Sequence, residues 1–85
     1  MIKYVGEVKM KTVTVYLDSI DKVKGFVNAI ATCEGDFDLS SDRYVVDAKS
    51  IMGIFSLDLS KKLKLTIHND TVAEDILPKL EGYIV

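Results

Sequence analysis

Apolar residues recur with a period of two in some stretches of this 85-residue chain and with a helical period in others, and the two patterns alternate. Residues 12–17 place valine and leucine on one face and threonine and tyrosine on the other, which predicts a half-buried strand. The period then changes, and Asp18 or Ser19 can cap the start of a helix whose expected stop is Gly35. The predicted buried stripe of this helix consists of Ile20, Val23, Val27, Ile30 and Ala31.

A hairpin and a short helix are predicted in the middle of the chain. Residues 37–39 alternate apolar and polar side chains, and residues 44–46 follow a polar turn at residues 40–43, as expected for two paired strands. Ser50 then precedes residues 51–55, an apolar run short enough for one or two helical turns with Ser50 as the N-cap.

The last third of the chain predicts one more strand and a final helix. Residues 63–67 alternate cleanly, and Thr71 with Glu74 forms a capping-box pattern at the helix start. Pro78 has no backbone N–H and is expected to kink or shorten this helix, whose predicted buried stripe is Val72, Ile76, Leu77 and Leu80. The order strand, helix, strand, strand, short helix, strand, helix predicts an α+β fold with a four-stranded, mainly antiparallel sheet and helices on one face.

Length and composition limit the classes of protein to which the chain can belong. A chain of 85 residues has room for one domain, and its 48% hydrophobic and 28% charged residues are ordinary for a globular protein. The net charge of −2 is spread over mixed acids and bases, so no basic stripe for nucleic acid is present. No apolar run reaches the roughly 18 residues of a membrane span, and the single cysteine fits a reducing, cytoplasmic setting.

Few residues have chemistry that would indicate catalysis or metal binding. His68 is the only histidine, and its place at the polar end of the last strand favours an exposed side chain over a catalytic one. The acidic residues of the hairpin lack the spacing of a calcium loop and are interpreted as turn and solvent residues: Asp36, Asp38, Asp42 and Asp47. We therefore expect no enzyme activity, no cofactor and no metal site.

Residues 49–57, with the sequence Lys-Ser-Ile-Met-Gly-Ile-Phe-Ser-Leu, resemble the regulatory-serine motif of HPr, the small carrier protein of the bacterial sugar phosphotransferase system. The element order is also the HPr order, and the similarity extends from Asp36 to Ile67. The resemblance implies an HPr-like open-faced β-sandwich over residues 10–85, with residues 1–9 as either an N-terminal extension or the product of an upstream start. It also places Ser50 where many relatives are phosphorylated by a dedicated kinase.

The phosphate-accepting motif of the HPr family has no counterpart here. In the family, a histidine between the first strand and the first helix is followed at short distance by an arginine and a proline. Residues 16–25 contain none of these three residue types, and the alignment puts Ser19 or Asp21 at the accepting position. Neither side chain offers an imidazole with its suitable pKa, so the resemblance implies an HPr-like protein without ordinary histidine phosphotransfer.

The short helix is the predicted surface for a protein partner. Its four apolar residues surround one glycine in too few turns for all of them to face inward, and in the HPr family this helix forms part of the docking surface. The predicted partner-binding residues are Ile51, Met52, Ile54 and Phe55.

Three functions are compatible with these patterns. The preferred one is a regulatory protein-binding domain switched by phosphorylation at Ser50, with phosphotransferase-system proteins, a serine kinase or a transcription regulator as partners. The second is a phosphocarrier that uses Asp21, Ser19 or His68 as the acceptor. The third is an assembly module that dimerises through the short apolar helix, so the chain is expected to be a monomer or a weak homodimer.

Overall fold

The computed structural model of the chain describes residues 10–85, except for the side chains of residues 70 and 71. The predicted N-terminal extension, residues 1–9, lies outside the described residues. The predicted order of elements is confirmed. The elements are β1 (Lys11–Val15), α1 (Ile20–Ala31), β2 (Phe37–Ser40), β3 (Val45–Asp47), α2 (Ile51–Phe55), β4 (Leu63–Ile67), α3 (Asp70–Ile76) and a 3₁₀ turn at Leu77–Leu80.

The four strands form one antiparallel sheet in the order β1-β4-β2-β3. The central strands β4 and β2 pair so that Leu39 lies opposite Leu65. The end of the chain adds a short bridge to β1, in which the Tyr16 N–H donates to the Tyr83 carbonyl at 2.9 Å and Val15 pairs with Ile84. The four-stranded antiparallel sheet of the sequence-based prediction is therefore confirmed.

The core lies between one face of the sheet and the helices. Buried side chains alternate with exposed or half-buried ones along each of β2 and β4, because successive residues of a strand point to opposite faces. The strands and the residues that follow them contribute Val15, Leu17, Phe37, Leu39, Leu63, Leu65 and Ile67 to this core, and the helical segments contribute Val23, Phe26, Ile30, Ile54, Ala73, Ile76 and Leu80.

The predicted stripe of α1 is wrong at both ends. Val23 and Ile30 are buried as expected, but the third fully buried residue is Phe26, whereas Ile20 is 60% exposed and Ala31 is also exposed. The buried side chains define the direction of the core, and at 3.6 residues per turn Ile20 and Ala31 point about a quarter turn or more away from it. Periodicity alone shows that the helix has an apolar face, and only packing against the core determines which residues lie at the middle of that face.

The ends of two helices also differ from the sequence-based prediction. Helix α1 ends at Ala31, and its C-cap is Thr32, while Gly35 adopts a φ of +112° later in the turn that leads to β2. Helix α3 begins at Asp70, and the Asn69 side-chain oxygen accepts from the Val72 N–H at 3.4 Å. The capping box predicted for Thr71 and Glu74 involves a side chain that lies outside the described part of the structure.

Pro78 has the predicted effect on the final helix. Helix α3 stops at Ile76, and the chain continues as a tighter 3₁₀ turn that contains the proline. A proline lacks the N–H that an α-helix interior needs, but it is tolerated at the first positions of a new turn. Of the predicted stripe, Ile76 and Leu80 are buried and Val72 and Leu77 are half-buried.

Candidate functional site

Ser50 starts helix α2 as its N-cap, as the sequence predicts. Its backbone is extended, with φ of −95° and ψ of 105°, and its hydroxyl oxygen accepts from the Gly53 N–H at 3.1 Å. The Ser50 carbonyl accepts from the Ile54 N–H at 3.0 Å, so the same residue satisfies two donors of the first turn. The side chain nevertheless remains exposed. Ser50 is therefore both the structural cap of α2 and an exposed residue.

Lys49 holds the start of α2 against the rest of the fold. Its ammonium donates to the Cys33 carbonyl at 2.8 Å, just beyond the end of α1, and lies 5.3 Å from the centre of the Phe37 ring. Its backbone N–H donates to an Asp47 carboxylate oxygen at 2.9 Å. The lysine that precedes Ser50 in sequence is therefore already bound elsewhere, which sequence reasoning did not anticipate.

The four apolar residues of α2 divide between the core and the surface. Met52 is 76% exposed and Phe55 is 41% exposed, while Ile51 is half-buried against the core. Ile54 is completely buried, so its prediction as a partner-binding residue is wrong. The reason is geometric: α2 packs against both α1 and β3, and the single inward direction of so short a helix is taken by Ile54.

Gly53 lets α2 lie close to the hairpin. A Cβ atom at this position would be 3.2 Å from the Ser50 hydroxyl oxygen and 3.2 Å from the Val46 Cβ atom. These contacts are tighter than ordinary van der Waals separation, so a side chain here would push the helix away from β3 or disturb the cap. The glycine therefore sets the position of the exposed residues on the outer side of α2.

Replacing Ser50 by alanine is expected to lower the free energy of unfolding by about 1 kcal/mol, because the Gly53 N–H loses its partner. Ser50→Asp is the matched control, since aspartate caps as well as serine and should remain within about 0.5 kcal/mol of the unchanged protein. Urea denaturation followed by circular dichroism measures both changes. Equal losses in the two variants would contradict the capping role.

The segment before α1, where the sequence predicted a degenerate phosphoacceptor loop, is also organised around a cap. The Ser19 hydroxyl oxygen accepts from the Lys22 N–H at 3.1 Å. The Lys22 ammonium lies 2.9 Å from an Asp18 carboxylate oxygen, and this hydrogen bond holds the pKa of Asp18 below its ordinary value. Ser19 and Asp21 are both exposed, but no imidazole faces them within the described residues, whose one histidine lies elsewhere.

His68 lies far from that loop. Val15, at the end of β1 that leads into α1, is opposite Leu63, the first residue of β4. His68 follows the last residue of β4 and is therefore at the other end of the sheet. There its Nε2 atom lies 2.6 Å from an Asp38 carboxylate oxygen. The structure thus does not bring His68 together with Ser19. The interpretation of Asp38 as a turn or solvent residue is wrong, because Asp38 lies in β2 and contacts His68.

Neither a cluster of metal ligands nor a helix suited to the membrane occurs among the described residues. No group of three or more histidine, cysteine, aspartate or glutamate side chains between residues 10 and 85 is arranged to hold a metal ion. Within the same residues, no helix has the length and apolar character that crossing a bilayer requires.

Comparison with known proteins establishes the fold. No protein-family model and no curated protein sequence matches the chain. The chain is similar in structure to the crystal structure of HPr-C-His from Thermoanaerobacter tengcongensis, with a TM-score of 0.68 and 23% sequence identity over 87% of this chain and 92% of that chain. The antiparallel four-stranded sheet with its helices is thus an HPr-like α+β fold.

Proposed function

We propose that this chain is an HPr-like protein-binding domain that has no histidine phosphotransfer activity and is regulated by phosphorylation of Ser50. It binds a protein partner through the outer side of α2 and does not turn over a substrate. The observation that carries the proposal is the position of Ser50, an exposed residue two positions before exposed Met52 and five positions before exposed Phe55.

The apolar part of the proposed surface consists of Met52 and Phe55. Met52 is a flexible, polarisable side chain that adapts to different partners, and Phe55 supplies an aromatic ring of the kind that anchors interfaces. Both belong to a helix that is positioned by the Ser50 cap, Gly53 and the Lys49 bond to Cys33. A partner would therefore meet a preformed surface and would lose little free energy in ordering it.

Phosphorylation of Ser50 would change this surface through charge. A phosphoserine adds about −1.5 to −2 charge at neutral pH and three acceptor oxygens. The Lys49 ammonium is bound to the Cys33 carbonyl, so the new charge would not be neutralised by the neighbouring lysine. The phosphate would favour a partner that offers arginine or lysine beside an apolar contact, and it would oppose a partner that offers only apolar contact.

The position of the one histidine supports the proposed lack of histidine phosphotransfer. His68 lies at the opposite end of the sheet from α1, where the family's acceptor resides, and Ser19 is engaged as a cap. The Asp18 carboxylate beside Ser19 is paired with the Lys22 ammonium, so it is already engaged with a cation. The phosphocarrier and dimerisation alternatives stay predictions.

Intact-mass spectrometry after two incubations tests the proposal. With HPr serine kinase and ATP we expect one added phosphate that maps to Ser50, and with Enzyme I and phosphoenolpyruvate we expect none. Ser50→Ala should abolish the first signal, whereas Ser56→Ala, which changes a serine at the other end of the same helix, should leave it intact. A phosphate added by Enzyme I would contradict the proposal, as would kinase labelling that persists in Ser50→Ala.

A further inference from the structure

Four exposed basic residues lie together at the end of the sheet where the β2–β3 turn meets the segment between α2 and β4. Two adjoining cavities of about 280 Å³ and 400 Å³ open there and share Ser41, Asp42 and Lys62 in their walls. The basic residues that line them are Arg43, Lys61, Lys62 and Lys64. The β2–β3 turn and the segment before β4 therefore form one basic cleft, which consists of these two cavities.

The charge of the basic cleft is opposite to that of the rest of the molecule. Four of the chain's eleven lysine and arginine residues line it, together with only two of its thirteen acids, Asp42 and Asp58. The cleft walls thus carry a formal charge of +2, while the remainder of the chain carries −4. Such an asymmetry directs small anions toward one end of the protein.

The four cations are available to a ligand. In the part of the chain that the structure describes, none of them forms an ion pair, and all four are exposed. Asp58 is occupied within its own loop, because it accepts from the Ser60 hydroxyl at 2.6 Å and from the Ser60 N–H at 3.1 Å. These hydrogen bonds, with a smaller contribution from the nearby charge of Lys61, hold the pKa of Asp58 below its ordinary value, so Asp58 keeps the negative charge counted above.

Both walls of the basic cleft are held by local hydrogen bonds before any ligand binds. In the β2–β3 turn the Ser41 N–H donates to the Tyr44 carbonyl at 2.9 Å, and the Tyr44 N–H donates to the Ser41 hydroxyl oxygen at 3.4 Å. Ser41 therefore keeps its hydroxyl proton to donate to an anion. In the other wall, the Lys61 N–H donates to the Asp58 carbonyl at 3.3 Å. A site that is ordered in advance binds with a smaller entropic cost.

Tyr44 gives the basic cleft a second kind of contact. Its side chain is 62% exposed and lines the smaller cavity beside Arg43. An aromatic ring next to a guanidinium and two ammonium groups suits a ligand that has an anionic end and a flat or ring-shaped end. The volume of the smaller cavity, about 280 Å³, lies just below the roughly 300–1,000 Å³ of typical small-molecule sites, which restricts the ligand to a small one.

We propose that the basic cleft binds a small phosphomonoester, with Arg43, Lys61 and Lys62 on the phosphate and Tyr44 against the ring of the attached group. An extended polyanion such as RNA is disfavoured, because Asp42 and Asp58 interrupt the positive surface. This site involves neither Ser50 nor the outer side of α2, so it is independent of the function proposed above.

The test is a titration of the ¹⁵N-labelled full chain with AMP, ribose 5-phosphate and inorganic phosphate, followed by amide chemical shifts at constant ionic strength, with adenosine as the uncharged control. We expect saturable shifts at residues 41–44 and 58–64, and AMP binding more tightly than inorganic phosphate by about fivefold or more, because of Tyr44. Absence of saturable shifts with all three phosphates would overturn the proposal, and equal affinity for AMP and inorganic phosphate would overturn the role of Tyr44.

Matched variants separate a specific site from a general effect of charge. Arg43→Gln is expected to raise the dissociation constant for AMP about tenfold, as the loss of a charge-assisted hydrogen bond does. Lys11→Gln removes the same charge from the other end of the sheet and should change the constant by less than about twofold. Equal effects of the two variants, or an Arg43→Gln protein that binds AMP as before, would overturn the proposal.

Discussion

Replacing Ile54 by alanine is expected to lower the free energy of unfolding by about 2–5 kcal/mol, the usual result of truncating a fully buried aliphatic side chain. The loss combines the removed apolar surface with the cavity that remains, because neighbouring side chains relax only in part. Met52→Ala, two positions earlier in the same helix, removes a side chain of similar size that is 76% exposed and should change stability by less than about 0.5 kcal/mol.

The size of the expected loss matters because the domain is small. At roughly 0.05–0.15 kcal/mol per residue, a chain of this length has only about 4–13 kcal/mol of stability in total. Urea denaturation of both variants gives the comparison, and Ile54→Val, with an expected loss of about 0.5–1.5 kcal/mol, serves if the alanine variant does not fold. Equal losses at the two positions would contradict the assignment of Ile54 to the core and Met52 to the surface.

Replacing Gly25 by alanine is expected to destabilise the protein by about 1–3 kcal/mol, even though alanine is intrinsically the better helix former by about 1 kcal/mol. The reason is Tyr83, whose phenol oxygen would overlap the new Cβ atom and whose Cζ atom would be 3.3 Å from it. Tyr83 cannot easily withdraw, because its carbonyl accepts from the Tyr16 N–H and its ring packs edge-on against Phe26 at 6.0 Å.

Gly82 provides the matched control for this prediction. A Cβ atom there meets nothing within 4 Å, and the residue does not have a positive φ. Gly82→Ala should therefore be neutral or stabilise the fold by up to about 1 kcal/mol through the unfolded state. Thermal and urea unfolding of the two variants decide the matter: a Gly25→Ala protein that gains stability as Gly82→Ala does would show that Tyr83 does not pack over α1.

The two substitutions affect different helices, since Ile54 belongs to α2 and Gly25 to α1. Ile54 holds α2 to the core, and Tyr83 packs over α1 from a segment whose backbone also bridges to β1. The proposed partner surface depends on the first, because an α2 that loses its buried anchor would no longer present Met52 and Phe55 in a fixed arrangement. Loss of partner binding in Ile54→Ala would thus report on the fold and not on direct contact.

The order and type of the elements follow from the sequence by itself. The signals that predict them are local, and each acts within a few residues of its position. They include the alternation in residues 63–67, the serines before α1 and α2, and Pro78 after the last α-helix. Periodicity predicts only an α+β sheet with helices, whereas the resemblance of residues 49–57 to the HPr motif predicts the HPr-like fold itself. The structural similarity to a solved HPr structure confirms that fold.

Which side chains reach the surface was decided only by the tertiary structure. A helical pattern of apolar residues does not fix, to within about a quarter turn, which side of the helix faces the core. Phe26 and Ile54 are buried and Ile20 is exposed because of how the helices pack in the folded chain. The contact between Gly25 and Tyr83 joins residues that are distant in sequence, as does the basic cleft formed by Arg43 and Lys61. No local signal records such distances, since packing brings these residues together only after the chain has folded.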